Sequence, residues 1–293
     1  MNSEAQVASA TLPVSSDDGL FLDIAAAREF GEKLAGEYSF AEPFPHIVID
    51  NFLPRELADA CLANFPRERM ATDRIYESGY AGQFKRQVFP GDCNGFNREL
   101  FSFLNSALVL QFLEAMTFIR KLVADPYFEG GGFHEISRGG KLGVHADFRI
   151  HEQLNLQRRL NMLIYLNKDW QPQWGGELEL WDRGMKAKVR AVQPVFNRCV
   201  VFSTDADSFH GHPEPLACPD GVTRKSMALY YYTASERIHE EVPANSTMYR
   251  ARPGDSSDIQ RETRRLRTQN YIKDWLPPAV FRALRRRKAG GAK

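Results

Sequence analysis

The sequence predicts a mainly β protein with flanking helices (α+β), of the sandwich or jelly-roll kind. From Pro126 onward, short segments rich in Val, Ile, Leu and Tyr alternate with turns containing Gly, Pro, Asn or Asp. Segments with helical spacing precede them and can cover one face of a sheet. The chain has 293 residues, 43% hydrophobic and 26% charged, enough for one large domain or two modest ones with a substantial core. That composition excludes a disordered, collagenous or low-complexity protein.

Residues 1 to 20 carry neither the basic start nor the apolar stretch of a signal peptide, which predicts a short disordered lead-in and a cytoplasmic protein. Residues 22 to 38 (LDIAAAREFGEKLAGEY) combine helical spacing with good helix formers. HIVID at 46 to 50 reads as a strand, and Pro54 opens a helix through PRELADACLANF, proline being tolerated in a first turn. A helix over roughly 98 to 120 carries Leu100, Phe103, Leu104, Leu108, Phe112 and Ile119 as core positions. The expected strands are FHEIS, KLGVHAD, RLNMLIYLN, GELELWD, KAKVRAV, RCVVFS and KSMALYYYT, over about residues 126 to 235. After residue 243 the chain opens with Pro and Asn, then reads as helical through SSDIQRETRRLRTQNYIKDW and, past Pro277 and Pro278, AVFRALRRRK. The expected division is therefore a lead-in to residue 20, a domain over 21 to 243 and a basic helical tail over 244 to 293. There is no internal repeat, and no apolar run approaches the roughly 18 residues of a membrane helix.

Net charge is +1, but residues 250 to 293 hold 13 Lys and Arg against 4 Asp and Glu. A tail of +9 thus follows a body of −8. The four cysteines, Cys61, Cys93, Cys199 and Cys218, form no C-x-x-C pair and are expected as buried thiols. Phosphate-binding, dinucleotide-binding and nucleophile-elbow signatures are absent.

The chemistry lies in the histidines. His145-Ala146-Asp147 places two ligand side chains on one face of a strand, and Ser208-Phe209-His210-Gly211-His212 offers two further imidazoles. Two imidazoles and one carboxylate form a facial triad that leaves positions open on non-haem iron(II). His210 or His212 can complete it.

The order of H-A-D, Y-L-N-K-D-W, G-G-E-L, a distal His and an Arg shortly after it resembles the prolyl 4-hydroxylase-like branch of the 2-oxoglutarate and iron(II)-dependent oxygenases. The resemblance covers roughly residues 44 to 235. It implies a double-stranded β-helix, jelly-roll and cupin-like, with supporting helices. It implies His145, Asp147 and His210 as iron ligands, His210 being favoured over His212 because Phe209 precedes it. It implies that Arg224 pairs with the distal carboxylate of 2-oxoglutarate, assisted by Tyr165, a guanidinium being suited to gripping a carboxylate. Lys225 is the alternative cation. The implied cofactors are Fe(II), 2-oxoglutarate as cosubstrate and O2, with ascorbate as a reductant. The implied reaction is hydroxylation of an unactivated C–H bond coupled to conversion of 2-oxoglutarate to succinate.

One departure stands out. The resemblance places a tyrosine nine residues before the first ligand, and here that residue is Ile136, so a polar contact is lost or supplied elsewhere, with His134 as a candidate. Peptidyl proline is one substrate class; a small molecule, a sugar or a lipid-linked glycan is another, and a non-catalytic cupin-like binding protein is the contrasting reading. The tail, with Trp275, Leu276, Val280, Phe281 and Leu284 beside its arginines, is expected either to fold against the acidic body or to meet an anionic membrane surface or RNA.

Overall fold

The computed structural model describes residues 7–16, 18–151, 153–234 and 246–275. Strands β1 (Ala8–Ser9), β2 (Val14–Ser15) and β3 (Phe21–Leu22) precede helix α1 (Ile24–Ser39) and strand β4 (His46–Asp50). Within the expected lead-in, residues 8–9 and 14–15 form strands. β1 pairs in parallel with β4, Leu12 donates its N–H to the Phe52 carbonyl at 2.7 Å, and its side chain is fully buried. A single apolar anchor plus strand pairing offsets the ordering cost that a polar composition alone would not meet. The first six residues of the expected lead-in lie outside the described residues.

Asp23 caps α1 by accepting the Ala26 N–H at 2.9 Å. Helix α2 (Arg55–Ala63) begins directly after Pro54, followed by β5 (Arg74–Tyr76) and β6 (Gln83–Val88). The helix expected over 98 to 120 is two, α3 (Gly95–Leu104) and α4 (Ala107–Thr117). Asn105 and Ser106 separate them, at the C-terminal end of α3 and just before α4, because such residues favour helix ends over interiors. Gly95–Thr117 is apolar enough to cross a membrane by composition, but the break and its half-buried packing identify core helices instead.

The β region then runs through β7 (Val123–Ala124), β8 (Gly132–Ala146), β9 (Leu156–Tyr165), β10 (Leu178–Trp181), β11 (Lys188–Val192), β12 (Cys199–Ser203), β13 (His210–His212) and β14 (Arg224–Ala234). FHEIS and KLGVHAD are halves of one long strand, β8, turned at Gly139, whose φ is +74°. Its first half pairs with β6 and β14; its second half pairs with β13. One sheet therefore holds β1, β4, β12, β9, β14, β8 and β6 in order, and β8 carries on into a second, β8–β13–β10–β11. The fold is a curled double-stranded β-helix of the jelly-roll kind.

Alternation divides the first sheet into two faces. Ile47, Ile49, Leu160, Met162, Ile164, Val201, Met227 and Leu229 form a core with α1, α3 and α4. The opposite face carries Val48, Tyr165, Val200 and Phe202, which pack on Leu178, Leu180 and Val192 of the second sheet. That second face closes around the cleft.

Past residue 245 the chain is not an independent tail. Strand β15 (Met248–Tyr249) adds to β8 beside Ala146 and His145, and helix α5 (Ser257–Trp275) follows. Glu262 of α5 accepts the Tyr80 N–H at 2.8 Å, and Tyr80 in turn donates its hydroxyl to the Arg250 carbonyl at 2.9 Å. The expected boundary at 243 and 244 lies outside the described residues. The first expected tail helix is present as α5; AVFRALRRRK lies outside the described residues.

Candidate metal centre and cleft

His145 closes the second half of β8, His210 opens β13, and the two are direct partners across the strands, with ring centroids 4.5 Å apart. His145 Nδ1 meets the Gly143 carbonyl at 2.8 Å and His210 Nδ1 meets the Ser208 carbonyl at 2.9 Å. Both Nδ1 atoms thus act as donors, which leaves each Nε2 lone pair free to face the cleft. Asp147 lies between them, its carboxylate 3.6 Å from His145 Nε2 and 3.5 Å from His210 Nε2. Two metal–ligand bonds of about 2 Å span such separations. The three donors lie within 4.8 Å of one another and could hold a metal ion. The donor set fits iron(II).

Asp147 is itself held. Asn161 Nδ2 donates to its Oδ2 at 2.8 Å, and Arg158 Nη2 lies 3.2 Å from the same oxygen. Arg158 Nε and Nη2 reach Asn161 Oδ1 at 2.9 and 2.6 Å, which fixes the amide orientation. A bulge makes this trio possible. The pairing of β14 with β9 skips Arg159, matching Tyr232 with Arg158 and Tyr231 with Leu160, so Arg158 and Asn161 face the same side despite their spacing of three. The Arg158 guanidinium lies over the Tyr230 ring at 3.5 Å. Burial alone would raise the Asp147 carboxyl, but Arg158 and the two histidines hold it well below the usual range. Burial, followed by the nearby His145, pushes His210 down to about 4.

Arg224 and Tyr165 meet deeper in the cleft. Arg224 Nε donates to the Gly176 carbonyl at 2.8 Å and Nη2 to the Tyr165 hydroxyl at 3.3 Å, and the guanidinium lies 4.9 Å from the Tyr165 ring. A Cβ at Gly176 would lie 3.1 Å from Arg224 Cδ, so glycine permits this approach. Lys225 cannot substitute. As the next residue on the strand it faces the other side, over Phe65 and bonded to Thr223, in a surface cleft of about 590 Å³ with Arg67, Glu135 and Lys168. That cleft does not touch the histidine cluster.

His212 shares the inward face with His210 but stands outside the cluster, and neither of its ring nitrogens has a hydrogen-bond partner among the described residues. Ile136 lies between Arg224 and Lys85 on adjacent strands, and His134 Nε2 meets the Gly130 carbonyl at 2.9 Å. Tyr249 covers His145, their rings 5.3 Å apart. Arg158, Asn161, Lys85 and Tyr249 did not emerge from the sequence; for the first two, only the R-R-L-N run hinted at a polar patch inside an otherwise apolar strand. The four cysteines are buried and free as expected, burial pushing Cys61 up to about 12 and Cys93 to about 11.

A double-stranded β-helix with two imidazoles and a carboxylate converging in its cleft defines the class of fold and site. Residues 131–232, which contain all three donors, Tyr165 and Arg224, match the family model of the 2OG-Fe(II) oxygenase superfamily. The chain resembles the prolyl 4-hydroxylase-like branch of these oxygenases: it is 33% identical over 81 residues to the prolyl hydroxylase EGLN3 of Mus musculus. That match covers 27% of this chain and 31% of the mouse protein. In structure the chain is similar to a prolyl hydroxylase from Trichoplax adhaerens, in complex with a peptide fragment of the hypoxia inducible factor oxygen degradation domain. The TM-score is 0.51 at 16% identity, over 71% of this chain and 91% of that one. A Pseudomonas putida prolyl-4-hydroxylase gives 0.48 at 20% identity, over 70% and 99%.

Proposed function

We propose that this protein is a 2-oxoglutarate- and iron(II)-dependent dioxygenase that hydroxylates an unactivated C–H bond. The observation that carries the reading is the convergence of His145 Nε2, His210 Nε2 and the Asp147 carboxylate, the last held in place by Asn161 and Arg158. Iron bound by these three would supply the oxidising chemistry that couples dioxygen and 2-oxoglutarate decarboxylation to hydroxylation, with ascorbate as reductant. The protein's own residues do the rest. Arg224 and Tyr165 anchor the distal carboxylate of the cosubstrate and so fix how far its other end reaches. Tyr230, Tyr249 and Phe202 line the site with aromatic surface that keeps water from the reacting groups.

For the substrate we favour a prolyl residue, because the relatives named above are prolyl hydroxylases; a small molecule, sugar or lipid-linked glycan is the competing class. Succinate release with Fe(II), 2-oxoglutarate and ascorbate, stimulated by proline-containing peptides, supports the reading. Release stimulated only by glycan or small-molecule fractions moves the substrate, and no release under any condition leaves a non-catalytic binding protein. We place the enzyme in the cytoplasm, peripheral to an anionic surface. Arg261, Arg264, Arg265 and Arg267 are all exposed on α5. Salt-sensitive binding to anionic vesicles that is lost on deleting residues 277 to 293 tests this placement.

A further inference from the structure

A second cation faces the cleft from β6. Lys85 is the direct partner of Ile136, which on its other side is the direct partner of Arg224. Paired residues of antiparallel strands project to the same face, so Lys85 and Arg224 flank Ile136 on one side of the sheet. The neighbouring positions fix which side. Val88 and Phe133 are in the core beneath the helices, so Gln87 and His134, and with them Lys85 and Ile136, face the cleft.

Lys85 makes no hydrogen bond or ion pair among the described residues; the Tyr76 ring lies 5.4 Å from its ammonium. The nearby acids are engaged elsewhere. Asp147 is held by Arg158 and Asn161, and Glu135 faces the other side, bonded to Thr223 and Arg86. Burial brings the ammonium down to about 8, with Asp147 acting to raise it and Arg224 to lower it. On β13, His212 is 3% exposed, and neither of its ring nitrogens has a partner among the described residues. Lys85, by its register with Ile136, and His212, by alternation with His210 on β13, both face the cleft. A partly buried ammonium and an unpartnered buried imidazole are costly unless a ligand completes them.

We propose that Lys85 and His212 form a second carboxylate-binding site in the cleft, separate from Arg224 and Tyr165. The cleft then receives two anionic groups. The proposal rests on the oxygenase reading only in assigning the first of them to the distal end of 2-oxoglutarate. The second is either the carboxylate next to the ketone of the same molecule or a carboxylate on the molecule to be hydroxylated, a free amino acid or a chain-terminal residue rather than an internal one.

The test is ligand protection of Lys85 from acetylation at pH 8, read by peptide mass spectrometry on the full chain, metal-free and zinc-loaded, with exposed Lys33 as internal control. Near-saturating ligand should slow Lys85 acetylation roughly tenfold or more. Protection by 2-oxoglutarate but not by 4-oxopentanoate, which lacks the carboxylate next to the ketone, assigns the site to the cosubstrate. Protection that needs L-proline or a proline-terminated dipeptide, and fails with the dipeptide amide, assigns it to the substrate. Lys85→Gln should weaken binding of the protecting ligand while Lys85→Arg retains most of it, both variants being checked by thermal unfolding. An unchanged Lys85 rate with every probe, together with unchanged 2-oxoglutarate binding by Lys85→Gln, overturns the proposal. Failure of the wild type to release succinate refutes the oxygenase reading instead, since protection is scored without turnover.

Discussion

Replacing Arg224 by alanine removes a guanidinium that is 5% exposed and stacked on Tyr165. Its loss leaves a bound carboxylate without its charged partner in a site shielded from water. Truncating one member of such a buried charge pair costs on the order of 2 to 5 kcal/mol, or roughly 30-fold to a few thousand-fold in affinity. The Gly176 carbonyl also loses its donor, which takes about 1 to 3 kcal/mol from folding. The two effects separate experimentally. The KM for 2-oxoglutarate and the Kd measured by calorimetry on zinc-loaded protein report the first, and thermal unfolding without ligand reports the second. Tyr165→Phe keeps the ring under the guanidinium and deletes one hydroxyl, so it should cost only about 1 kcal/mol, or roughly fivefold in KM. An Arg224→Ala protein that is folded and retains the wild-type KM refutes the assignment. Lys225 could not then be the rescuer, because it faces the far side of β14; Lys85 would hold the distal carboxylate alone.

Three further outcomes are expected. His145→Ala, Asp147→Ala and His210→Ala should each abolish stoichiometric iron(II) binding and turnover, whereas His212→Ala should keep metal binding; metal analysis after desalting distinguishes them, and iron retained by Asp147→Ala would count against the donor set. Gly31→Ala should lower the melting temperature by several degrees, since a Cβ there would lie 2.4 Å from the Phe112 carbonyl oxygen and overpacking between α1 and α4 costs about 1 to 3 kcal/mol. Tyr80→Phe deletes the hydroxyl that accepts the Val144 N–H at 3.3 Å and donates to the Arg250 carbonyl, so a loss of about 1 to 2 kcal/mol in denaturant unfolding is expected; unchanged stability would mean that the segment after residue 245 is not held through this bond.

What could be read from the sequence follows from what each strand buries. RLNMLIY and CVVFS show their faces because Leu160, Met162, Ile164 and Val201 must enter the helix-covered core. QFKRQV hides as a strand because its cleft-facing residues, Lys85 and Gln87, are polar, so the apolar alternation of a strand is missing. Met248–Tyr249 is too short to show a period. His145, Asp147 and His210 were legible because side-chain alternation and a short H-x-D spacing bring them together with few intermediate assumptions. Arg158 and Asn161 were not, because a spacing of three places two strand residues on opposite faces until a bulge intervenes.

The match to the oxygenase family ends at residues 131 and 232, yet several groups that hold the first donor histidine lie outside it. The Tyr80 carbonyl accepts the Gly143 N–H at 2.8 Å, and Gly143 is the residue whose own carbonyl orients His145. Tyr80 is fixed in turn by Glu262 from α5, while Tyr249 pairs with His145 and stacks near its ring. The matched segment thus carries the three candidate donors together with Tyr165 and Arg224. The segments before and after it supply Lys85, Tyr76, Tyr80 and Tyr249, which shape one side of the cleft. On the oxygenase reading proposed above, the matched segment carries the groups assigned to the reaction, and the residues to test for substrate selection are those of β5, β6 and β15 rather than those around the metal donors.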